Sequence, residues 1–114
     1  MINKYKKDNS LEKRKQFAEN LISKYVDKIP IIVEYDDTVI KLDKCKFLIP
    51  DTFSMGQLMI FIKSKVSLHS KEAIFIFING NLMPASYLVR DVYDTHKDED
   101  NFLYISINIE NTFG

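Results

Sequence analysis

The stretch Phe102-Leu-Tyr-Ile-Ser-Ile-Asn-Ile109 decides the fold, because its side chains alternate without a break. Aliphatic residues occupy every odd-numbered position, and aromatic or polar residues occupy the even-numbered ones. A period of two places successive side chains on opposite faces of a β-strand. The stretch therefore predicts a strand with one apolar face, which runs into the short polar tail Glu110–Gly114.

The composition indicates a single soluble domain. Of the 114 residues, 46% are hydrophobic and 28% are charged, which is enough apolar material to bury a core. No run approaches the roughly 20 apolar residues that cross a bilayer, and the N-terminus lacks the apolar core of a signal peptide. Cys45 is the only cysteine, so no internal disulfide is expected, and a reducing, cytoplasmic location is predicted.

Charge is distributed unevenly along a chain whose net charge is zero. Residues 1–28 carry eight Lys or Arg against four Asp or Glu, whereas residues 51–114 carry five against eight. The basic N-terminal third suggests a surface that meets acidic partners or anionic lipid, although a solvated helix face explains the same pattern more simply. No basic stripe with interleaved aromatic residues is present, so nucleic acid is not predicted as a partner.

Outward from the final strand, the chain predicts further helices and strands. Ser10 is a candidate N-cap, Ser54 and Gln57 fit a capping box, and Asn79-Gly80 is a turn signal. Residues 4–9 form a short helix or a loose arm. The expected helices cover residues 11–25, 55–66 and 86–95, and the expected strands cover 29–35, 44–50 and 73–78. Apolar residues recur at roughly helical spacing in the first helix, where they include Phe17, Ala18, Leu21 and Ile22, and the last helix is expected to turn Leu88, Val92 and Tyr93 inward. One long helix across a mixed sheet is the ubiquitin-like β-grasp, an α+β fold, here with an N-terminal helical extension.

The strand over residues 44–50 is expected at an edge of the sheet. Neither of its faces is wholly polar, and Pro50 limits backbone pairing at its end. Both features suit an edge strand that binds another chain. The strand over residues 73–78 is apolar throughout and is expected to be central.

The sequence contains no recognisable set of catalytic residues. Cys45 falls in an alternating strand, while His69 and His96 fall in separate polar stretches without a third group to orient a pair. Partial burial as a small apolar side chain accounts better for Cys45. One cysteine and two histidines make a poor zinc set, and no phosphate-binding glycine motif is present. The sequence therefore predicts no enzyme, no cofactor and no metal site.

Seven segments of the sequence match one known family in order and spacing. They are Leu11-Glu-Lys-Arg-Lys15, Lys28-Ile-Pro-Ile-Ile-Val-Glu34, Leu42-Asp-Lys-Cys-Lys-Phe-Leu-Ile-Pro50, Met55-Gly-Gln-Leu58, Lys71-Glu-Ala-Ile-Phe-Ile-Phe77, His96-Lys-Asp-Glu-Asp-Asn-Phe-Leu-Tyr104 and Glu110-Asn-Thr-Phe-Gly114. With these segments the chain resembles the autophagy ubiquitin-like modifiers, the family that includes GABARAP and the microtubule-associated light-chain proteins. The resemblance covers nearly the whole chain.

The resemblance implies conjugation through Gly114 to phosphatidylethanolamine during autophagosome formation. It implies an E1-like activating enzyme, an E2-like conjugating enzyme, and a cysteine protease that processes and delipidates such proteins. Phe113 would help to seat the tail in those enzymes. The implied organisation is a helical extension over 1–28, a ubiquitin-like domain over 29–109 and a flexible conjugation tail over 110–114. The implied location is cytoplasmic, and the autophagosome membrane when the chain carries lipid.

The resemblance also implies binding of receptor peptides that carry an aromatic-x-x-aliphatic motif beside the strand 44–50. Core packing is the competing explanation for each apolar residue assigned to this site. The implied aromatic pocket comprises Glu19, Leu21, Pro30, Ile32, Lys46, Leu48 and Phe102. The implied aliphatic pocket comprises Phe47, Ile49, Pro50, Phe53, Leu58, Phe61 and Lys65. The lysines that would attract acidic residues preceding the motif are Lys24, Lys28 and Lys44.

The chain departs from the family pattern at one position beside the aromatic pocket and at one within the aliphatic pocket. Phe17 stands where the family usually has a polar residue, so a different motif preference is expected. Lys65 replaces a usual arginine, which exchanges a planar fork of donors for a point charge. A second hypothesis is a peptide-binding adaptor that acts without conjugation, in membrane trafficking or on the cytoskeleton.

Overall fold

The computed structural model describes residues 4–66 and 72–111, and within these ranges the chain forms a mixed five-stranded sheet and four helices. The helices are α1 (Lys4–Asp8), α2 (Leu11–Lys24), α3 (Met55–Lys65) and α4 (Val89–His96). The strands are β1 (Lys28–Glu34), β2 (Lys46–Pro50), β3 (Glu72–Ile78), β4 (Asn81–Leu82) and β5 (Leu103–Asn111).

The final strand lies in the middle of the sheet, whose order is β2-β1-β5-β3-β4. It runs parallel to β1, with Leu103 opposite Ile31, and antiparallel to β3. Its alternation is confirmed, because Leu103, Ile105 and Ile107 are buried while Asn108 is exposed. A strand with partners on both sides and an apolar face is well placed to organise the core.

The central position expected for residues 73–78 is only partly met. β3 pairs along its length with β5, but on its other side β4 pairs only with Phe77 and Ile78. Its side chains alternate between buried isoleucines and half-buried phenylalanines. An unbroken apolar run therefore marks a strand near the end of the sheet with two apolar faces.

The sheet carries a hydrophobic core on each face. The larger core lies under α3, whose Leu58 and Ile62 are fully buried, and α4 adds further side chains to it. The smaller core consists of Ala18, Ile32 and Phe102, and it lies under the N-terminal helices. Other buried members of the larger core are Ile29, Ile31, Phe47, Ile49, Ile74, Ile76, Leu103, Ile105 and Ile107.

Local signals fixed the start of α3 and the turn between β3 and β4. Ser54 Oγ accepts from the backbone N–H of Gln57 at 3.1 Å, and Gln57 Oε1 accepts from the backbone N–H of Ser54 at 2.8 Å, so the capping box is confirmed. Asn79 and Gly80 have φ values of 52° and 80°, as a two-residue hairpin turn requires.

The last helix begins at Val89, and the expected start at Ser86 is wrong. Ala85 and Ser86, just before it, form a turn, and the extended Leu88 that follows pairs with Ser54 at the start of α3. Met55 N–H donates to the Tyr87 carbonyl at 2.7 Å, and Val89 N–H donates to the Phe53 carbonyl at 2.9 Å. This pairing leaves the Leu88 side chain 48% exposed, although helical spacing placed it inward.

Candidate functional site

The outer side of β2 is the open edge of the sheet, because β1 is its only strand neighbour among the described residues. Val33 N–H donates to the Cys45 carbonyl at 2.8 Å, and Asp51 N–H donates to the Asp27 carbonyl at 2.9 Å. In an antiparallel pair, alternate residues direct their backbone groups to the same side. The backbone N–H and C=O groups of the odd-numbered residues in and beside β2 therefore point toward β1. Those of Lys46 and Leu48 point outward, where an extended peptide could pair with them.

The two implied pockets lie on opposite faces of the sheet beside this edge. Side chains of directly paired residues share a face, and the register pairs Pro30 with Leu48 and Ile32 with Lys46. These residues face α2. The other face carries Ile49 and Phe47, which belong to the larger core. The edge strand thus separates the two candidate residue sets, which we call the aromatic subsite, on the α2 side, and the aliphatic subsite, on the α3 side.

The aromatic subsite, on the α2 side, has a buried floor. Ile32 is 1% exposed and Phe102 is 0% exposed, and both pack against Ala18. Pro30 is also buried. The structure therefore places part of this residue set in a core, as the competing explanation expects. The remaining members are the half-buried Leu21, Lys46 and Leu48 and the exposed Glu19.

Two aromatic rings hold the side chain of Lys46 at the mouth of this subsite. Its ammonium lies 4.6 Å from the ring centroid of Phe17 and 5.4 Å from that of Tyr5. A cation over an aromatic face is attracted by the ring quadrupole. Phe17 is 41% exposed, so the residue at which the chain departs from the family pattern contacts a lysine and forms part of the accessible surface.

The aliphatic subsite, on the α3 side, has three buried members and four that are half-buried or exposed. Phe47, Ile49 and Leu58 are buried in the larger core. Phe61 is half-buried, packs edge-on against Phe47 with 5.5 Å between ring centroids, and lies under the exposed Lys65, whose ammonium is 5.3 Å from its ring. The two remaining members, Pro50 and Phe53, are half-buried.

The lysines that would attract the acidic residues of a peptide are distributed along the open edge of the sheet. Lys28 lies opposite Pro50, at one end of β2, whereas Lys44 precedes the other end. Lys24 ends α2, and its ammonium lies 5.5 Å from the ring of Tyr25. Lysines therefore lie near both ends of β2, where Asp43 and Asp51 also flank the strand.

A buried polar cluster, formed by Arg14, Asp100 and Tyr104, attaches the N-terminal helices to the sheet. Arg14 Nη1 donates to Asp100 Oδ2 at 2.7 Å, and the Tyr104 hydroxyl donates to the same oxygen. Asp100 Oδ1 accepts from the Phe102 N–H at 2.8 Å. Burial, together with the hydrogen bond to Asp100, raises the pKa of Tyr104, so the phenol stays a donor. The carboxylate therefore fixes both α2 and the floor of the aromatic subsite.

Comparison with known proteins identifies the family. Residues 13–114 match the family described as "Autophagy protein Atg8 ubiquitin like". The chain is 43% identical over its whole length to autophagy-related protein 8 of Emericella nidulans and to that of Aspergillus niger, and it covers 98% of each. The chain belongs to the Atg8 family. The crystal structure of Trypanosoma brucei ATG8 matches it with a TM-score of 0.90 at 36% identity, over 100% of both chains.

This membership confirms the resemblance and the ubiquitin-like fold, and it gives the chain a role in autophagy. Gly114 and Phe113, the residues assigned to conjugation, lie outside the described residues, as does His69. No helix in residues 4–66 or 72–111 is long and apolar enough to cross a bilayer. In the same two ranges, no three His, Cys, Asp or Glu side chains are grouped to hold a metal ion.

The apolar periodicity of α2 did not indicate that Arg14 is buried. The structure shows that Arg14 and Ala18 are the two buried residues of this helix. The apolar pattern pointed to Phe17 and Ile22, both of which are exposed. One signal was available, since Arg14, Ala18 and Leu21 recur at helical spacing and share a face. The pattern could not name Asp100 as the partner, and Tyr5 carried no signal at all.

A second ion pair, between Lys6 and Asp98, fastens α1. Lys6 Nζ lies 2.5 Å from Asp98 Oδ1, and Arg14 Nη1 lies 3.8 Å from Asp98 Oδ2. Burial alone would raise the pKa of Asp98, but the hydrogen bonds from Lys6 and the Asp100 N–H and the nearby positive charges lower it overall.

Acid should loosen the attachment of α1. The pKa of Asp98 is lower in the folded chain than the usual 3.8, so its contribution is complete above that value and is lost as the pH falls through the folded pKa. We expect urea unfolding between pH 5 and pH 2.5 to show a smaller pH dependence for Asp98→Asn than for the wild type. The exposed Asp94 provides the control Asp94→Asn. Equal pH dependence in wild type and Asp98→Asn would contradict this role.

Proposed function

We propose that this Atg8-family chain is a modifier that is conjugated through Gly114 to phosphatidylethanolamine and acts on the forming autophagosome. The family match carries the proposal, because it runs through residue 114 and includes the tail. Glycine suits this chemistry, since the absence of a Cβ leaves the carboxylate unhindered for adenylation, thioester exchange and attack by the ethanolamine amine. The two acyl chains would then anchor the protein stably, at about 0.8 kcal/mol per buried CH₂.

The partners follow from the same chemistry. ATP-dependent activation needs an E1-like enzyme, transfer needs an E2-like enzyme, and release from lipid needs a cysteine protease. Strand β5 ends at Asn111, paired with Glu72 at the sheet, so the last described residue is anchored to the body of the domain. The tail beyond it is the part that those enzymes would have to reach.

The replacement Gly114→Ala should abolish lipidation, because a methyl group would crowd the carboxylate in a cleft shaped for glycine. The measurement is a gel-shift assay with purified E1-like and E2-like enzymes of an Atg8 system, ATP and vesicles containing phosphatidylethanolamine. Asn108→Ala, an exposed change on β5, is the control and should react like the wild type. Normal lipidation of Gly114→Ala would refute conjugation at this residue.

We also propose that β2 binds receptor peptides with an aromatic-x-x-aliphatic motif. The supporting observation is the open strand edge, where Lys46 and Leu48 direct their backbone groups outward between two apolar subsites. Main-chain pairing would provide affinity, and the subsites on the two faces would provide specificity. Three residues of each subsite are buried, so a peptide would contact chiefly the half-buried and exposed members.

The double replacement Lys46→Glu with Leu48→Ala should weaken the binding of such a peptide at least tenfold, which corresponds to about 1.4 kcal/mol. It reverses the charge at the mouth of the aromatic subsite and removes half-buried apolar surface. Isothermal titration calorimetry would measure the loss, with Lys63→Glu, an exposed charge reversal on α3, as the control. An unchanged dissociation constant would place the site elsewhere. A chain that binds the peptide yet is never lipidated would instead support the adaptor hypothesis.

A further inference from the structure

Phe17 lies at one end of the aromatic subsite, the end nearest the start of β2. It precedes Leu21, a member of the subsite, by one turn of α2, so the two side chains share a face of that helix. The ring centroid of Phe17 lies 4.6 Å from the ammonium of Lys46, the first residue of β2. Phe17 is 41% exposed, so a bound peptide can reach its ring.

Lys46 has aromatic partners at this place rather than acidic ones. Its ammonium also lies 5.4 Å from the ring centroid of Tyr5, and no ion pair between the described residues includes it. A cation over a ring is attracted by the ring quadrupole, and the attraction strengthens when water is excluded. A peptide side chain that covers the Phe17 ring would therefore also stabilise the contact between Phe17 and Lys46.

The positions of the two subsites give the direction of a bound peptide. The aromatic subsite includes Lys46 at the start of β2, whereas the aliphatic subsite includes Pro50 at its end and Phe53 beyond it. An aromatic-x-x-aliphatic motif would therefore run parallel to β2, and the residues before the aromatic one would extend past Lys46. Side chains of an extended peptide alternate between faces, so the residue two positions before the aromatic one shares its face. That residue is the one placed to contact Phe17.

At this peptide position an acidic side chain gains less free energy of binding than an apolar one. A carboxylate would pair with Lys46 at the protein surface, where ion pairs contribute little and are screened by salt. An apolar side chain would instead cover part of the exposed Phe17 ring, and its gain grows with the apolar area removed from water. A polar residue at position 17, as the family usually has, would offer no such area.

We propose that Phe17 is a specificity-determining residue, which selects receptor peptides with an apolar side chain two positions before the aromatic residue of the motif. This preference rests on the peptide groove proposed above. It differs from the preference for acidic residues before the motif that the family resemblance implies. Phe17 would contact the peptide side chain and take no part in the main-chain pairing with β2.

Two peptides that differ at one residue test this preference. Both carry an aromatic-x-x-Leu motif, and the residue two positions before the aromatic one is leucine in the first peptide and glutamate in the second. Titration calorimetry should show that the wild type binds the leucine peptide about fivefold or more tightly than the glutamate peptide. Equal binding of the two peptides, or tighter binding of the glutamate peptide, would overturn the proposed role of Phe17.

Three variants show whether the ring of Phe17 is responsible. Phe17→Gln removes the ring but keeps an uncharged, helix-forming residue, so the two peptides should then bind within about twofold of each other. Phe17→Tyr keeps the ring and should keep the leucine preference. Ile22→Gln, at another exposed apolar residue of α2, is the control and should also keep it. A leucine preference that survives in Phe17→Gln would overturn the proposal.

The same titrations distinguish a failure of this proposal from a failure of the groove. If the wild type binds neither peptide, the groove proposed above is refuted, and the role of Phe17 is refuted with it. If the wild type binds both peptides and the double replacement of Lys46 and Leu48 weakens both, the groove is supported. The ratio of the two dissociation constants then decides the role of Phe17 alone.

Discussion

Asp100→Ala should destabilise the chain by about 3–5 kcal/mol. It removes the nearer counter-ion of the buried Arg14 guanidinium, at 2.7 Å, and leaves only Asp98 at 3.8 Å. Asp100 is 0% exposed, and its carboxylate accepts hydrogen bonds from Arg14, Tyr104 and the backbone of Phe102. All three donors lose their acceptor at once. Urea unfolding, followed by circular dichroism at pH 7, measures the loss directly.

The neighbouring Glu99 offers a matched control, since it is exposed and Glu99→Ala should change stability by no more than about 0.5 kcal/mol. A double-mutant cycle of Arg14→Ala and Asp100→Ala should show strong coupling, because removing both partners leaves no buried charge unpaired. A loss below about 1 kcal/mol for Asp100→Ala would mean that the cluster does not hold the helices to the sheet.

Phe102→Ala should cost about 3–5 kcal/mol, the range for truncating a buried aromatic side chain. Phe102 is the largest member of the smaller core, and it also meets the rings of Tyr5 and Tyr104 edge-on. The resulting cavity would lie directly beneath α2, so hydrogen exchange should speed up most in that helix.

Leu58→Ala is the control with which Phe102→Ala is compared. Leu58 is equally buried but belongs to the larger core under α3, so its truncation should cost about 2–5 kcal/mol without a selective effect on α2. Calorimetric or urea unfolding provides the totals, and amide exchange provides the location. Unchanged protection of α2 amides in Phe102→Ala would show that the smaller core does not support the N-terminal helices.

Local chemistry made several elements predictable from the sequence. The side chains of Ser54 and Gln57 each accept a hydrogen bond from the other's backbone N–H, three positions away. The turn at Asn79-Gly80 depends on the positive φ angles of these two residues alone. The alternation of β5 and the edge position of β2 also follow from patterns within one strand. In each case the residues that decide the structure are neighbours in the chain.

Elements that depend on distant partners were missed or misread. Arg14 is buried because it forms an ion pair with Asp100, which is 86 residues away in the sequence. Leu88 is exposed because its neighbours form hydrogen bonds with the start of α3. The candidate site was named through family resemblance, and periodicity alone would not have found it. How deeply Ile32 and Phe102 are buried is set by α1 and α2, which pattern reasoning does not place on the sheet.

The order of strands has a consequence for synthesis. The middle strand, β5, is the last described element to leave the ribosome, and both β1 and β3 need it as their neighbour. Until then a nascent chain can form the β1–β2 and β3–β4 hairpins and its helices, but β1 and β3 each keep one edge unpaired. We expect folding to be delayed until translation has passed Asn111, and chaperones to hold the chain during that interval.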